Sequence, residues 1–220
     1  MTQSSRSHEG RILTPADEAS WAAAVERAWH VLARGGLIAY PTETVYGIGA
    51  DARNEDAIRR IPVVKGRDER KPILVLVGSA GAVREFAADV PDVAKELMRV
   101  YWPGPLTLVL RARREVSDLL TAGSGTVGLR CSPHPFCAAL IRRSGMAITS
   151  TSANRAGGST PETIDEIARE LGDGIELYID AGPLRGRLPS TVVDVSGPAP
   201  RLIREGAIRG GDLLPFLQGA

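Results

Sequence analysis

Cysteine is scarce in this chain of 220 residues: there are two, Cys131 and Cys137. That is too few for the disulfide framework of a small secreted protein, and both read as small core residues. Histidine is nearly as rare, and His8, His30 and His134 stand too far apart in sequence to build a zinc-ligand pattern. His134 lies in a Pro-His-Pro turn and reads as a turn or capping residue rather than as a general base. No apolar run approaches the ~20 residues that span a bilayer, and residues 1–11 are polar, without the apolar centre of a secretory signal. An excess of one charge is missing too, since 27 Lys and Arg against 26 Asp and Glu leave a net +1. Any basic site must therefore be local. These absences predict a cytoplasmic chain with no membrane contact and no metal held by its own side chains.

Usable nucleotide-binding glycine motifs are also lacking. Residues 123–128 spell Gly-Ser-Gly-Thr-Val-Gly, the letters of the dinucleotide fingerprint. That motif works only where a helix follows, because the helix N-terminus holds the pyrophosphate, and here a strand is predicted instead. Nor is there a Gly-Lys-Ser/Thr phosphate loop, so a triphosphate would have to be held by other means.

What is present is the balance of an ordinary globular protein: 43% hydrophobic and 24% charged residues, at a length that supports one sizeable core. Thr14-Pro15-Ala16-Asp17 predicts a helix capped by Thr14, with Trp21, Val25, Ala28 and Leu32 on its apolar face and Gly35-Gly36 ending it. Short apolar runs over residues 37–40, 73–77, 106–110, 127–129, 147–149, 177–179 and 191–195 read as buried strands. Helical stretches opened at Asn54, Ser79, Pro91, Pro135 and Pro161 lie between several of them. Strands alternating with helices predict an α/β fold around a central sheet, mixed because the late strands follow one another without a helix. The expected organisation is a disordered tail over residues 1–11 and a single domain over 12–220.

Four polar segments flank predicted strands, where ligands gather in α/β sheets. Pro41-Thr42-Glu43-Thr44 suits a site, although a plain turn would use similar residues. Lys65, Arg67 and Lys71 share a glycine-containing loop that suits phosphate oxygens, or else a solvated charged surface. Ser150, Ser152 and Asn154, followed by glycines, could cradle a phosphate or a small polar substrate, and Thr160 is expected to cap the helix opened by Pro161. Ser190 opens the last segment, and Arg204 closes an apolar strand before a glycine turn. Arg130 ends a strand as well, and could clamp a carboxylate.

Together these segments resemble the threonylcarbamoyl-AMP synthase (YrdC) family over nearly the whole chain. The matching strings are Pro-Thr-Glu-Thr-Val-Tyr-Gly-Ile-Gly at 41–49, Lys-Gly-Arg at 65–67 and Trp-Pro-Gly-Pro-Leu-Thr at 102–107. They continue as Val-Gly-Leu-Arg at 127–130, Ser-Ala-Asn at 152–154, Ser-Thr-Val-Val-Asp at 190–194 and Arg-Glu-Gly at 204–206. The resemblance implies one twisted, mixed-sheet α/β domain with helices packed around an open concave face. It implies synthesis of threonylcarbamoyl-AMP and pyrophosphate from L-threonine, bicarbonate and ATP, with Mg²⁺ carried on the ATP. Its product would serve N6-threonylcarbamoyladenosine formation in tRNA through tRNA-modification transferase complex proteins. Carried over by position, threonine contacts fall on Thr44, Arg130, Ser150 and Ser190. ATP contacts fall on Arg67, Lys71, Thr126, Ser152, Asn154, Thr160 and Arg204, with Lys65 and Arg67 as the catalytic cations.

The chain departs from the family pattern at Asp68, where a proline is usual, at Lys71, where many members have Asn, and at Leu76, where longer members have a threonine-contacting His. Ser132 and Pro133 shift a proline by one position and could re-aim Arg130. Those departures keep a diverged paralogue acting on another carbamoylated amino acid as an alternative. A module binding tRNA or double-stranded RNA without turnover is a second. The carbamoyltransferase of hydrogenase maturation shares only part of the pattern, and the Cys-x-x-Cys pairs of its zinc module are absent here.

Overall fold

The structure, a computed structural model, describes residues 10–66 and 71–218. Its first half runs β1 (Ile12–Leu13), α1 (Glu18–Ala33), β2 (Ile38–Tyr40), β3 (Gly47–Gly49), α2 (Glu55–Val64), β4 (Val75–Leu76) and α3 (Asp92–Tyr101). Next come β5 (Leu106–Arg111), α4 (Asp118–Thr121), β6 (Thr126–Arg130), α5 (Pro135–Ser144), β7 (Ile148–Thr149) and β8 (Thr151–Ser152). The chain closes with α6 (Ile164–Leu171), β9 (Leu177–Ile179), β10 (Thr191–Asp194), β11 (Arg201–Arg204) and α7 (Gly210–Leu217). A strand follows residues 123–125, as expected, so no helix end is there to hold a dinucleotide.

Two helix starts differ from the sequence reading. Asp17, not Thr14, caps α1: it accepts from the Ser20 amide at 2.8 Å, while Ser20 Oγ accepts from the Asp17 amide at 3.0 Å. Likewise α6 begins at Ile164 behind a box of Thr163 and Glu166, so Thr160 caps nothing and Pro161 precedes the helix. In both cases the two-way hydrogen bond of the box outweighs a proline two residues upstream of the cap. The stretch expected at Ser79 is one 3₁₀ turn, Gly81–Glu85, with the Ala82 amide bonded to Ser79 Oγ at 3.3 Å. Of the expected tail, residues 1–9 lie outside the described residues. Arg11 is already anchored, through Asp173 at 2.7 Å and through its carbonyl to the Tyr178 amide at 2.8 Å.

The single sheet expected from the sequence is two mixed sheets. One has the order β1-β9-β2-β3-β8, the other β11-β10-β5-β6-β4-β7. The physical reason is a division within one extended segment. Residues 148–149 pair with β4 in the second sheet, whereas residues 151–152 pair with β3 in the first, and Ser150 lies between them. The main core fills the space between the sheets, with Leu37, Ala39 and Ile48 in one cluster with Leu108 and Leu129. A second core on the far side of the first sheet joins Ile38 and Tyr40 to Ala28, Leu32, Phe136 and Leu140 of α1 and α5. Alternate residues of β2 thus enter different cores, which is why residues 37–40 are apolar without a break.

Candidate active site

Behind the site, outside the cavity lining, stands Tyr40, which is fully buried and donates its hydroxyl to the Thr149 carbonyl at 3.0 Å. Burial pushes its phenol well above the ordinary range, so it acts as a neutral donor. A Cβ on Gly49 would lie 2.8 Å from the Tyr40 ring, and one on Gly47 3.1 Å from Ser150 Oγ. The glycines of the Tyr-Gly-Ile-Gly string therefore make room for Tyr40 and Ser150. Between β2 and β3, Thr42 Oγ1 accepts from the amides of Thr44 and Val45 at 3.1 and 3.2 Å. That side-chain turn fixes the backbone carrying Glu43 and Thr44.

Arg130, at the end of β6, is 3% exposed. Its Nη1 donates to Thr44 Oγ1 at 2.8 Å and lies 3.2 Å from Glu43 Oε1. Glu43 Oε2 in turn accepts from Ser132 Oγ. The shifted proline therefore has not turned Arg130 away. On the opposite wall Thr107 Oγ1 and Ser190 Oγ are 2.8 Å apart, and Arg204 Nη2 donates to the Ser190 carbonyl at 2.8 Å. Burial and, after it, the nearby Arg130 guanidinium lower the Arg204 pKa, an expected result of gathering two like charges. Arg204 remains a cation. The Ser150 amide bonds to the Leu74 carbonyl at 2.7 Å, which seats its hydroxyl between the sheets.

These walls enclose a cavity of about 290 Å³. It brings together seven of the expected residues: Thr44, Arg130, Ser150 and Ser190 of the threonine set, and Thr126, Ser152 and Arg204 of the ATP set. Lys65 and Asn154 are not in its lining. Lys65 is 3% exposed and donates to the Ser152 carbonyl, with Asn154 Oδ1 3.5 Å away. Ser152 Oγ donates to that same Oδ1 at 2.6 Å, and Asn154 Nδ2 bonds the Gly158 carbonyl at 2.8 Å. Lys65 and Asn154 therefore brace the loop behind Ser152. Lys71 and Thr160 are exposed and lie off the cavity lining. Arg67 and Asp68 lie outside the described residues. His134 caps α5 through Nδ1, 3.3 Å from the Phe136 amide, and burial lowers its pKa. A larger cavity of about 600 Å³ between the residues 78–84 turn and α3 contains none of the expected site residues.

Glu43 and Thr107 are the contributors that sequence reasoning passed over. Glu43 lies inside the polar Pro41-Thr42-Glu43-Thr44 string, of which the resemblance assigns a ligand contact to Thr44 alone. Thr107 closes the Trp-Pro-Gly-Pro-Leu-Thr string at 102–107, which carries the family resemblance but no expected ligand contact. The cavity lining contains no carboxylate, and the described residues contain no group of three or more His, Cys, Asp and Glu side chains placed for a metal ion. Among the described residues no helix is long and apolar enough to cross a membrane.

Comparison with known proteins gives a consistent set of neighbours. Residues 30–206 match the Sua5/YciO/YrdC family model, described as "telomere recombination". The chain is 37% identical over 185 residues to a threonylcarbamoyl-AMP synthase of Bacillus subtilis, covering 84% of this chain and 54% of that protein. It is 40% identical over 175 residues to a putative threonylcarbamoyl-AMP synthase of Mycobacterium tuberculosis, covering 79% of this chain and 80% of the relative. Among solved structures, P. abyssi Sua5 complexed with L-threonine superposes with a TM-score of 0.86 at 33% identity, over 94% of this chain and 61% of that one. The chain thus spans about half the length of the Bacillus relative, and more of the Mycobacterium one.

Proposed function

The chain belongs to the Sua5/YciO/YrdC family, and on that premise we propose that it makes threonylcarbamoyl-AMP and pyrophosphate from L-threonine, bicarbonate and ATP. The relatives' names and the threonine-bound P. abyssi structure support this reading. The observation that carries it is the convergence of seven separately expected residues on one cavity, with a guanidinium on each of two walls. In the proposed reaction bicarbonate dissociates to carbon dioxide and hydroxide, the threonine amine adds to the carbon dioxide to form a carbamate, and the proton that the amine gives up joins the hydroxide as water. One carbamate oxygen then bonds to the α-phosphorus of ATP, the bond from that phosphorus to the bridging oxygen breaks, and pyrophosphate leaves with the electron pair. Such a transfer needs alignment and charge neutralisation more than an acid–base residue.

Arg130 suits the threonine carboxylate, because it is buried and its Nε has no hydrogen-bond partner. Hydroxyls of Thr44, Ser150 and Ser190 supply neutral contacts around the amino acid, and the Thr126 and Ser152 hydroxyls with the Arg204 guanidinium face the nucleotide. Lys65 and Asn154 hold the Ser152 loop in place, and Arg67 is assigned to the phosphates from the motif alone. A donor set of hydroxyls and guanidiniums does not fit a Mg²⁺ ion held by protein carboxylates, but fits one carried on the triphosphate. That ion would neutralise phosphate charge when bound. The product would pass to tRNA through partner transferase proteins, in the cytoplasm where ATP and tRNA meet. Pyrophosphate release from ATP is expected only when threonine and bicarbonate are both supplied. Equal release with either omitted would refute the synthase reading, and tight RNA binding without turnover would favour the non-enzymatic alternative.

A further inference from the structure

We propose that Glu43 is a positioning residue that sets which edge of Arg130 faces the substrate, and that Ser132 locks Glu43 in place. The proposal rests on the threonylcarbamoyl-AMP reading above. A guanidinium offers planar edges with two donors each, and a bidentate carboxylate takes one of them. In Arg130 the Nη1 corner is already committed, to Thr44 Oγ1 at 2.8 Å and toward Glu43 Oε1 at 3.2 Å. Its Nε is buried and has no hydrogen-bond partner. The edge left for a ligand is therefore the one formed by Nε and Nη2, and a buried donor without a partner is a group that a ligand would satisfy.

Glu43 maintains that choice by charge. Its Oε1 is buried without a hydrogen bond of its own, so it acts on Nη1 as an anion rather than as one more acceptor. Without it, the Nη1 side would be held by the Thr44 hydroxyl alone, and the guanidinium could rotate its committed corner toward the cavity. Two further contacts fix Glu43. Arg187 Nη1 donates to its carbonyl at 2.8 Å, and Ser132 Oγ donates to Oε2. The Ser132 oxygen accepts from the His134 amide at 3.2 Å, which leaves its only proton for Glu43. A proline at position 132 could not donate. The serine that departs from the family pattern is therefore the residue through which this chain holds Glu43.

The test is calorimetric titration of L-threonine and, separately, of ATP into wild type, Glu43→Gln, Glu43→Ala, Ser132→Ala and the double variant Glu43→Ala/Ser132→Ala. Glu43→Gln keeps the side-chain volume and an acceptor for Ser132, so it should fold. It is expected to weaken threonine about tenfold and to change ATP less than about twofold. In turnover its threonine KM should rise while kcat at saturating threonine stays near wild type. Ser132→Ala should weaken threonine about threefold alone and add nothing in the Glu43→Ala background, the signature of a residue acting through another. Unchanged threonine affinity in Glu43→Gln, or parallel loss of both ligands, would overturn the positioning role. A full additional loss in the double variant would overturn the part assigned to Ser132. If wild type itself binds no threonine, it is the synthase reading that fails.

Discussion

Arg130 is where the chemistry of single residues is most exposed to test. A buried guanidinium with one edge committed can be replaced by Lys in charge but not in shape, because an ammonium has no planar fork. Arg130→Lys should weaken threonine by ten- to a hundredfold, about 1.5–3 kcal/mol, with ATP binding nearly unchanged. Loss of both ligands in calorimetry would instead make Arg130 structural. Gly49 gives a test of packing rather than charge. Its Cβ would meet Tyr40, Ile38 and Ile148 at 2.8, 3.0 and 3.1 Å, all inside the core. Gly49→Ala should cost about 1–3 kcal/mol in denaturant unfolding, and an unchanged midpoint would show that the core gives way freely. At this scale the strand-end arginines and the hydroxyls were legible, because a polar residue that ends an apolar run has few structural reasons to be there. Glu43 was not, since its role depends on Arg130, which lies 87 positions further along the chain.

Helix ends and hairpins carry the next set of consequences. Thr163 and Glu166 close a two-way box at the start of α6. Thr163→Ala should remove about 1 kcal/mol of stability and leave turnover intact, because Thr163 is outside the cavity. A selective loss of ATP binding would show that this helix start serves the nucleotide after all. In the β10–β11 hairpin, burial alone would raise the Asp194 pKa. Hydrogen bonds from Ser196 Oγ at 2.6 Å and the Ser196 amide at 2.9 Å, with Arg201 at 3.0 Å, outweigh it and hold the carboxyl below its ordinary value. A lowered folded-state pKa contributes stability above the unfolded value of about 3.9, and that stability is lost as pH falls through the folded value. Asp194→Asn should therefore lower the melting temperature at pH 7 and flatten its decline below about pH 4. An equally steep acid decline in the variant would place the titrating groups elsewhere. Short apolar runs announced β2, β5, β6 and β10. β1 has only two residues, and β3 and β8 consist of Gly-Ile-Gly and Thr-Ser, so none of the three shows an apolar run.

For the molecule as a whole, the cavity draws its walls from both sheets: Thr44, Gly47 and Ser152 from the first, Thr107, Arg130 and Ser190 from the second or its strand ends. A ligand that fills it should tie the sheets together. Addition of threonine and ATP is expected to slow amide exchange in residues 44–48, 150–152 and 189–192 in concert. Protection confined to one sheet would mean that the ligands sit elsewhere. The α/β class was legible because alternation of strands with helices is local. The division into two sheets was not, because strand partners are chosen by contacts far apart in sequence, such as β5 with β10 and β4 with β6. Only the crossing of one short segment between the sheets decides it. That crossing has a consequence for how the chain can vary in length. Residues 148–149 and 151–152 are each in register with a different sheet, and Ser150 is the whole connection between them. One residue inserted there would turn every following side chain to the opposite face, and one removed would leave the two pairings out of reach of each other. The turn around Gly186 is irregular and exposed and should absorb an added residue with little loss of fold. Among natural or engineered versions of this sequence, insertions should accumulate in such turns, while the spacing from Ile148 to Ser152 stays fixed.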